Sequence, residues 1–500
     1  QAVQSRGALM VALPELLHRQ ALTHPSRIAL RGPESELSYK QMMRAAEAVA
    51  EQLRLRSIKR AGVCGDNTLK ASESLGQGVW LRQLPDSAEV TLMPEGTAKI
   101  TFTSGSTGTP KGVCLSLKQM TATALALKAQ LTGVELQTHL CILPLATLLE
   151  NIAGVYLPLL MGACVNVAPL EHLGMTGSSG LNLNRLIEGI HQSRPQTLIL
   201  VPELAMALVS AAEQGQLDSR SFRFLAVGGG RVSQELLARG RAVGLPLYEG
   251  YGLSECSSVV ALNVPSAECQ GSVGKPLSHV QVRVDSYGHI RIRGNTHLGY
   301  LGDQTAPCEW LDTGDLGALS PGGFLSINGR SKNLLITSFG RNISPEWLES
   351  ELAQVTVTDG RSPDILARSV KQLNQRLPDY ARLATVYIRR QPFRQSEGYI
   401  TANGRPVRAR IQAHLPTLLA EAFPLFISTS FSYPSGESHM AFFDRLQHET
   451  AEARAHVTGA PVVKAIGEGD FSLESYTWFL TQAFHHVKHT VPLMMACGAR

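Results

Sequence analysis

The sequence predicts an α/β chain: a large N-terminal region of sheets wrapped by helices, a small α+β region behind it, and the start of an all-α tail. Three observations carry that expectation. Short apolar runs at 198–202 (LILVP) and 224–227 (FLAV) read as buried strands between helical stretches. At 103–109, seven consecutive residues are only Thr, Ser or Gly, and an apolar run, clearest at 98–102, leads into them like a strand. The 500 residues exceed what one core organises and point to two to four domains.

Composition narrows the classes. Hydrophobic residues make up 44% and charged residues 17%, as in a globular protein in water. A formal net charge of +5 is small for this length and does not argue for nucleic acid. A mildly basic surface does suit an anionic nucleotide or CoA. Eight cysteines are scattered without a C-x-x-C, which reads as a reducing, cytoplasmic setting. No apolar run reaches the ~18 residues of a transmembrane segment, and no basic-then-apolar leader opens the chain. Gln1 in first position points to a start lying upstream.

Taken in order, 13–22 reads as an amphipathic helix, 25–31 as a short strand, and 37–55 as a second helix opened by Leu37, Ser38 and Tyr39. The stretch 101–116, TFTSGSTGTPKGVCLS, organises the rest of the chain. Bare N–H groups and hydroxyls in such a loop suit phosphate oxygens, and Lys111 adds a mobile point charge. The spacing differs from G-x-x-x-x-G-K-[ST], because Lys111 comes three residues after Gly108 and Gly112 follows it. A plain glycine-rich turn is the alternative. Residues 117–131 then read as a helix.

The string resembles the phosphate loop of the acyl-adenylate-forming (AMP-binding) superfamily: acyl-CoA synthetases, peptide-synthetase adenylation domains and luciferases. The resemblance implies that Thr103, Ser104, Gly105, Ser106, Thr107, Gly108 and Lys111 hold the phosphates of ATP. Other motifs of that family come in order along the chain. Gly228, Gly229 and Gly230 come after a strand, where backbone can approach a flat ring, and the family places adenine there. The stretch 247–255, LYEGYGLSE, resembles the signature YGxTE with Ser254 for Thr. It implies Tyr251 stacked on adenine beside Gly252, Ser254 at the α-phosphate and Glu255 on Mg²⁺. A hard ion between phosphates takes oxygen ligands. The stretch 271–276 (GSVGKP) matches the next element. In 310–316, WLDTGDL, Asp315 would accept both ribose hydroxyls. Arg330 would also reach the ribose, and Lys332 occupies the hinge position of a mobile lid.

The segment 141–163 resembles part of the family's acyl pocket, with Thr147 where His is common and Leu148 beside it. A buried helix packed on the sheet is the plainer reading. The segment looks nearer to long-chain acyl-CoA synthetases than to amino-acid activators, since no Asp stands ready for a buried α-ammonium group.

Several departures stand out. Only 64 positions separate Tyr39 from Thr103, where the family places further βα units. A second apparent gap lies near 355–365, where a lid strand is expected. The lid motif 401–408, TANGRPVR, carries Arg405 where the family commonly has a catalytic Lys. Arg keeps the charge for phosphate stabilisation but is a planar fork. Arg408 reads as a surface or packing residue. The tail resembles the opening helices of the haem-oxygenase-like (TenA-like) bundle, some members of which hold di-iron. Glu449, His486 and His489 would then be ligands of a site that two helices leave incomplete.

The expected organisation is an adenylate-forming core over 1–329, a lid over 330–424, a linker over 425–440 and an incomplete helical domain over 441–500. The resemblance implies ATP- and Mg²⁺-dependent activation of a small-molecule carboxylic acid, a medium- or long-chain fatty acid, to acyl-AMP. Transfer to CoA, or to the phosphopantetheine arm of an acyl carrier protein, would follow. A non-catalytic nucleotide- or acyl-binding scaffold is the alternative that Arg405 leaves open.

Overall fold

The structure is a computed structural model. It describes residues 12–55, 61–65, 79–83, 92–103, 111–176, 180–303, 308–333, 335–336, 342–359, 363–378, 381–383, 385–389, 393–400 and 406–427. The described part is mixed α/β. Its centre is a nine-stranded sheet, ordered Lys275–Pro276, Ser258–Leu262, Leu247–Leu253, Phe224–Val227, Thr197–Leu200, Thr138–Leu140, Cys164–Asn166, Ile28–Arg31 and Glu36–Ser38. The six strands from Leu247–Leu253 to Ile28–Arg31 run parallel, and antiparallel strands close both edges.

The parallel strands are apolar because helices cover both faces of such a sheet. Thr197–Leu200 is buried at all four positions. The helices begin where the sequence supplies caps. Ser116 and Gln119 form a reciprocal capping box on Leu117–Gln130. Asn182 accepts from the Arg185 N–H at the start of Leu183–Ser193. Pro202 opens Pro202–Glu213, where its missing N–H is harmless. Leu208 and Leu236 seal the sheet from Pro202–Glu213 and Gln234–Ala242.

Two smaller sheets carry the remaining motifs. One is antiparallel, ordered Val280–Val284, His289–Gly294, Leu311–Leu319 and Leu325–Arg330. The other joins Gly299–Tyr300, Lys111–Leu115 and Lys99–Thr103, so the two ends of the Gly/Ser/Thr loop are partners in one hairpin, Thr103 opposite Lys111. A separate antiparallel pair, Ala61–Gly65 with Val79–Gln83, occupies part of the stretch where further βα units were expected.

Three expectations are corrected. The stretch 141–163 is not one helix: a turn at Pro144 and Thr147 precedes a π-helical turn, Glu150–Tyr156, and a short α-helix, Leu157–Leu160. The cause is a buried polar pair. His139 Nε2 and Glu150 Oε1 lie 2.8 Å apart at 0% exposure, and Glu150 Oε2 accepts from the Leu143 N–H. Near 355–365, helices Pro345–Asp359 and Pro363–Arg376 fill the described positions where a strand was expected. Residues 425 and 426 belong to the strand Ala422–Phe426 and not to a linker. The remaining linker and the all-α tail, with Glu449, His486 and His489, lie outside the described residues.

The chain divides into two compact units. One draws on Gln1–Asn333, Ser344–Thr358 and Arg389–Phe423, and the other on Leu334–Ile343, Asp359–Ile388 and Pro424–Arg500. The second unit is held locally by Val370, Leu373 and Leu377 and by Asn374, which exchanges two hydrogen bonds with the Leu383 backbone. Among the described residues, no helix is long and apolar enough to cross a membrane.

Gly154 faces the His139–Glu150 pair, and a Cβ there would lie 2.7 Å from His139 Nε2 and closer still to the Glu150 carboxylate. We expect Gly154→Ala to lower stability by about 1–3 kcal/mol through overpacking, read as a lower urea midpoint with unchanged slope.

Candidate active site

The motif residues converge at the carboxyl ends of the parallel strands, where open α/β sheets bind ligands. Phe224–Val227 ends in Gly228, whose N–H donates to the Leu200 carbonyl (3.0 Å), and Gly229 takes a positive φ of 80°. A Cβ on Gly228 would meet the Gly250 carbonyl at 3.6 Å, so the glycine run lies beside the strand that carries Tyr251. Gly252 has no room for a side chain, because a Cβ there would strike the Ser258 carbonyl. The chain then turns sharply. Ser254–Cys256 forms a 3₁₀ turn, and Ser257 and Ser258 both have positive φ, 57° and 88°. Strain of this kind is sustained where the surroundings enforce it.

Asp315 is the buried anchor. It is 4% exposed and stands opposite Arg330 across the antiparallel pair. Its Oδ1 lies 2.8 Å from Arg330 Nε, and its Oδ2 accepts from the Tyr251 hydroxyl at 2.6 Å. Burial raises its pKa, against the pull of the Arg330 charge and the Tyr251 hydrogen bond. The Tyr251 phenol is pushed well up, by burial first and by the Asp315 carboxylate next. The Arg330 side chain is half-exposed, so the trio ends in an accessible cation. Lys332 follows in an exposed turn, with the Asn333 N–H returning to the Arg330 carbonyl.

A second group adjoins it. Glu255 Oε1 accepts from the Tyr300 hydroxyl at 3.0 Å, and Lys111 Nζ sits 5.1 Å above the Tyr300 ring. The His297 N–H donates to the Glu255 carbonyl, and the His297 and Tyr300 rings meet edge-on at 4.7 Å. Burial, then the Glu255 carboxylate, raises the Tyr300 phenol. Asp315 also feels the charge of Glu255, so the two groups are electrostatic neighbours. Oxygen donors from Glu255 and Ser254 suit a hard divalent ion held mainly by phosphates and water.

Of the residues singled out in the sequence, Thr103, Lys111, Gly228, Gly229, Gly230, Tyr251, Gly252, Ser254, Glu255, Asp315 and Arg330 lie in one compact unit. Ser104, Gly105, Ser106, Thr107, Gly108 and Arg405 lie outside the described residues. Thr147 is half-buried and donates its hydroxyl to the Pro144 carbonyl, whereas Leu148 packs in the main core. Arg408, read as a surface or packing residue, pairs with Glu349 at 2.6 Å. Sequence reasoning assigned Tyr300 no role, although Gly299-Tyr300 was visible as a pair. The signal it lacked is the strand pairing that sets Tyr300 against Val113, two residues beyond Lys111. Glu249 was also missed: it is 8% exposed, two residues before Tyr251, and the Arg231 charge lies close by.

The fold is mixed α/β, with a buried carboxylate at Asp315 and exposed or half-exposed cations at Lys111 and Arg330. Residues 63–301 match the model of the family described as AMP-binding enzyme. The 2-succinylbenzoate–CoA ligase of Enterococcus faecalis is 28% identical over 280 residues, covering 52% of this chain and 55% of the relative. A long-chain-fatty-acid–CoA ligase of Mycobacterium bovis is 26% identical over 360 residues, covering 60% and 57%. The chain thus spans little more than half the length of these relatives. An O-succinylbenzoate coenzyme A synthetase from Bacillus subtilis, solved in complex with AMP, matches in fold with a TM-score of 0.59. It is 20% identical, and the match covers 80% of this chain and 98% of that one.

Burial raises the Glu249 carboxyl to about 7, against the Arg231 charge and the Val232 N–H. A carboxyl whose folded value exceeds its unfolded value of 4.5 contributes most below the latter and loses that contribution as pH rises towards about 7. Glu249→Gln should therefore be more stable than the natural chain at pH 7 by a few kcal/mol at most. The gain should vanish by pH 4.5, as read from urea midpoints across that range.

Proposed function

We propose that the chain is an AMP-forming acid–CoA ligase. In the first step a carboxylate oxygen of the acid attacks the α-phosphorus of ATP, pyrophosphate leaves, and acyl-AMP forms. In the second, the thiol of CoA attacks the acyl carbon, AMP leaves, and the thiol proton passes to water. A carboxylate is a poor electrophile until its oxygen belongs to a good leaving group, so the protein's work is positioning and charge neutralisation.

The observation that carries this reading is the buried Asp315 carboxylate, bracketed by Tyr251 and Arg330 and adjoining the Glu255–Tyr300–Lys111 group. Two carboxylate oxygens suit two vicinal hydroxyls of a ribose, with the Tyr251 ring beside the glycine run for the base. Lys111 brings a cation to the phosphates at the end of its hairpin. Mg²⁺ held with Glu255 would neutralise phosphate charge, and Tyr300 holds the Glu255 carboxylate in place. ATP and Mg²⁺ fit these groups, and their support lies in the family match and in the same synthetase solved with ATP and magnesium.

The acid is apolar over most of its length, because 141–163 is apolar, and both fatty and aryl acids fit that description. The Enterococcus and Mycobacterium relatives act on one of each. A second reading, a scaffold that binds nucleotide without turnover, rests on Arg405 in place of the lid lysine. A carrier-protein thiol in place of CoA remains a variant of the same chemistry.

Pyrophosphate release from MgATP, followed across fatty and aryl acids with and without CoA, tests the proposal. We expect release that depends on one acid class and rises with CoA. Silence with every acid, while AMP still binds, would overturn turnover and leave the scaffold. Arg405→Lys separates the cases further. A large gain in rate marks the natural lid as impaired, and a loss marks Arg405 as the working residue.

A further inference from the structure

Away from the nucleotide groups, three side chains able to bind metal meet inside the core. His139 lies on the strand Thr138–Leu140, and Cys141 directly follows it, its N–H still donating to the Asn166 carbonyl (2.9 Å). Two residues apart on extended backbone, the two side chains turn to one face. Glu150 joins them from the π-helical turn, Glu150–Tyr156. A ring nitrogen of His139, the Cys141 Sγ and a Glu150 oxygen all lie within 4.8 Å of one another. All three residues are fully buried.

The cluster is electrically unfinished. The Glu150 carboxyl meets His139 Nε2 at 2.8 Å and the Leu143 N–H at 3.0 Å, and among the described residues no lysine or arginine pairs with it. Carboxylates sealed from water are held by an opposite charge or by a metal. His139 Nδ1 is also buried, and it has no hydrogen-bond partner. π-Helical turns recur at functional sites, and this one carries Glu150 inward to the His139 ring.

We propose that His139, Cys141 and Glu150 form a closed structural site for one zinc ion, separate from the magnesium of the nucleotide. Imidazole, thiolate and carboxylate are zinc's donors, whereas a hard ion such as Mg²⁺ takes oxygen alone. The charges balance. Thiolate and carboxylate supply two negative charges and the neutral imidazole none, so the divalent ion leaves the apolar core neutral. On binding, the Cys141 thiol proton passes to water. The imidazole carries its remaining proton on Nδ1, the atom with no partner. The His139 Nε2 and Glu150 Oε1 atoms, 2.8 Å apart, then separate by about half an ångström to suit tetrahedral bonds of ~2.0–2.1 Å. The fourth position falls inside the cluster, to the second Glu150 oxygen or to the Gly154 carbonyl, which lies 4.0 Å from Cys141 Sγ. The ion ties the π-helical turn to the end of a sheet strand and takes no part in acid activation, so the site stands or falls apart from the ligase reading.

The test measures the metal content of the full chain, purified without chelator, by mass spectrometry. A second preparation is produced in cobalt-supplemented medium, so that the ion enters as the core forms, and its absorption spectrum is recorded. The natural chain should hold about one zinc, and the cobalt form should show a thiolate-to-cobalt band in the near ultraviolet. Cys141→Ala leaves the His139–Glu150 hydrogen bond in place, yet it should cut the zinc occupancy by roughly tenfold or more and abolish the band. Cys141→Ser, closer in size, should do the same and covers the case of an alanine variant that fails to fold by circular dichroism. Cys308→Ser, at an exposed cysteine outside the cluster, should change neither readout. A natural chain with less than about a tenth of an equivalent of zinc and no cobalt–thiolate band would overturn the site. Zinc and a band that survive in the folded Cys141 variants would overturn it as well, because the ion would then be held elsewhere.

Discussion

Everything at the candidate site depends on one buried carboxylate. Asp315 is nearly sealed from water, and such a group is tolerated only when its lone pairs are taken up. The Arg330 guanidinium and the Tyr251 hydroxyl do so from two different sheets. Because Asp315 and Arg330 are direct cross-strand partners, register alone brings them together. Tyr251 comes from the strand beside the glycine run, so its bond to Asp315 ties the antiparallel sheet to the carboxyl edge of the parallel one. Removing one partner would leave a buried charge uncompensated, which typically costs about 3–5 kcal/mol.

The polar residues of the site form two neighbouring groups. Asp315, Tyr251 and Arg330 form one of them, and Glu255, Tyr300 and Lys111 form the other. Lys111 and Lys99 sit on opposite strands of one hairpin in different surroundings. Lys111 is exposed over an aromatic ring, whereas Lys99 is half-buried and bonded to an amide.

Much of this was legible in the sequence. Glycine runs, the Tyr251–Glu255 signature and the Asp315 and Arg330 motifs are local strings whose chemistry survives without coordinates. The strands at 198–202 and 224–227 were legible from apolar runs alone, because strands buried on both faces need no alternation. What could not be read depends on partners distant in sequence. Tyr300 acquires a role only when its strand pairs with the one carrying Lys111. The π-helical turn at Glu150 arises because that carboxylate turns inward to His139, eleven residues earlier. Propensity favours an ordinary helix there, and a buried hydrogen bond overrides it.

The central claim, that Asp315 receives the ribose of an adenylate, is tested most directly by pairing a change in the protein with a change in the ligand. Binding of AMP and of its 2′,3′-dideoxy analogue would be measured calorimetrically on the natural chain and on Asp315→Asn. If the carboxylate and the hydroxyls meet, each change alone weakens binding by roughly tenfold or more, and the two together weaken it little further, because they remove one interaction. Equal binding of AMP and its dideoxy analogue by the natural chain, or losses that simply add, would contradict the account.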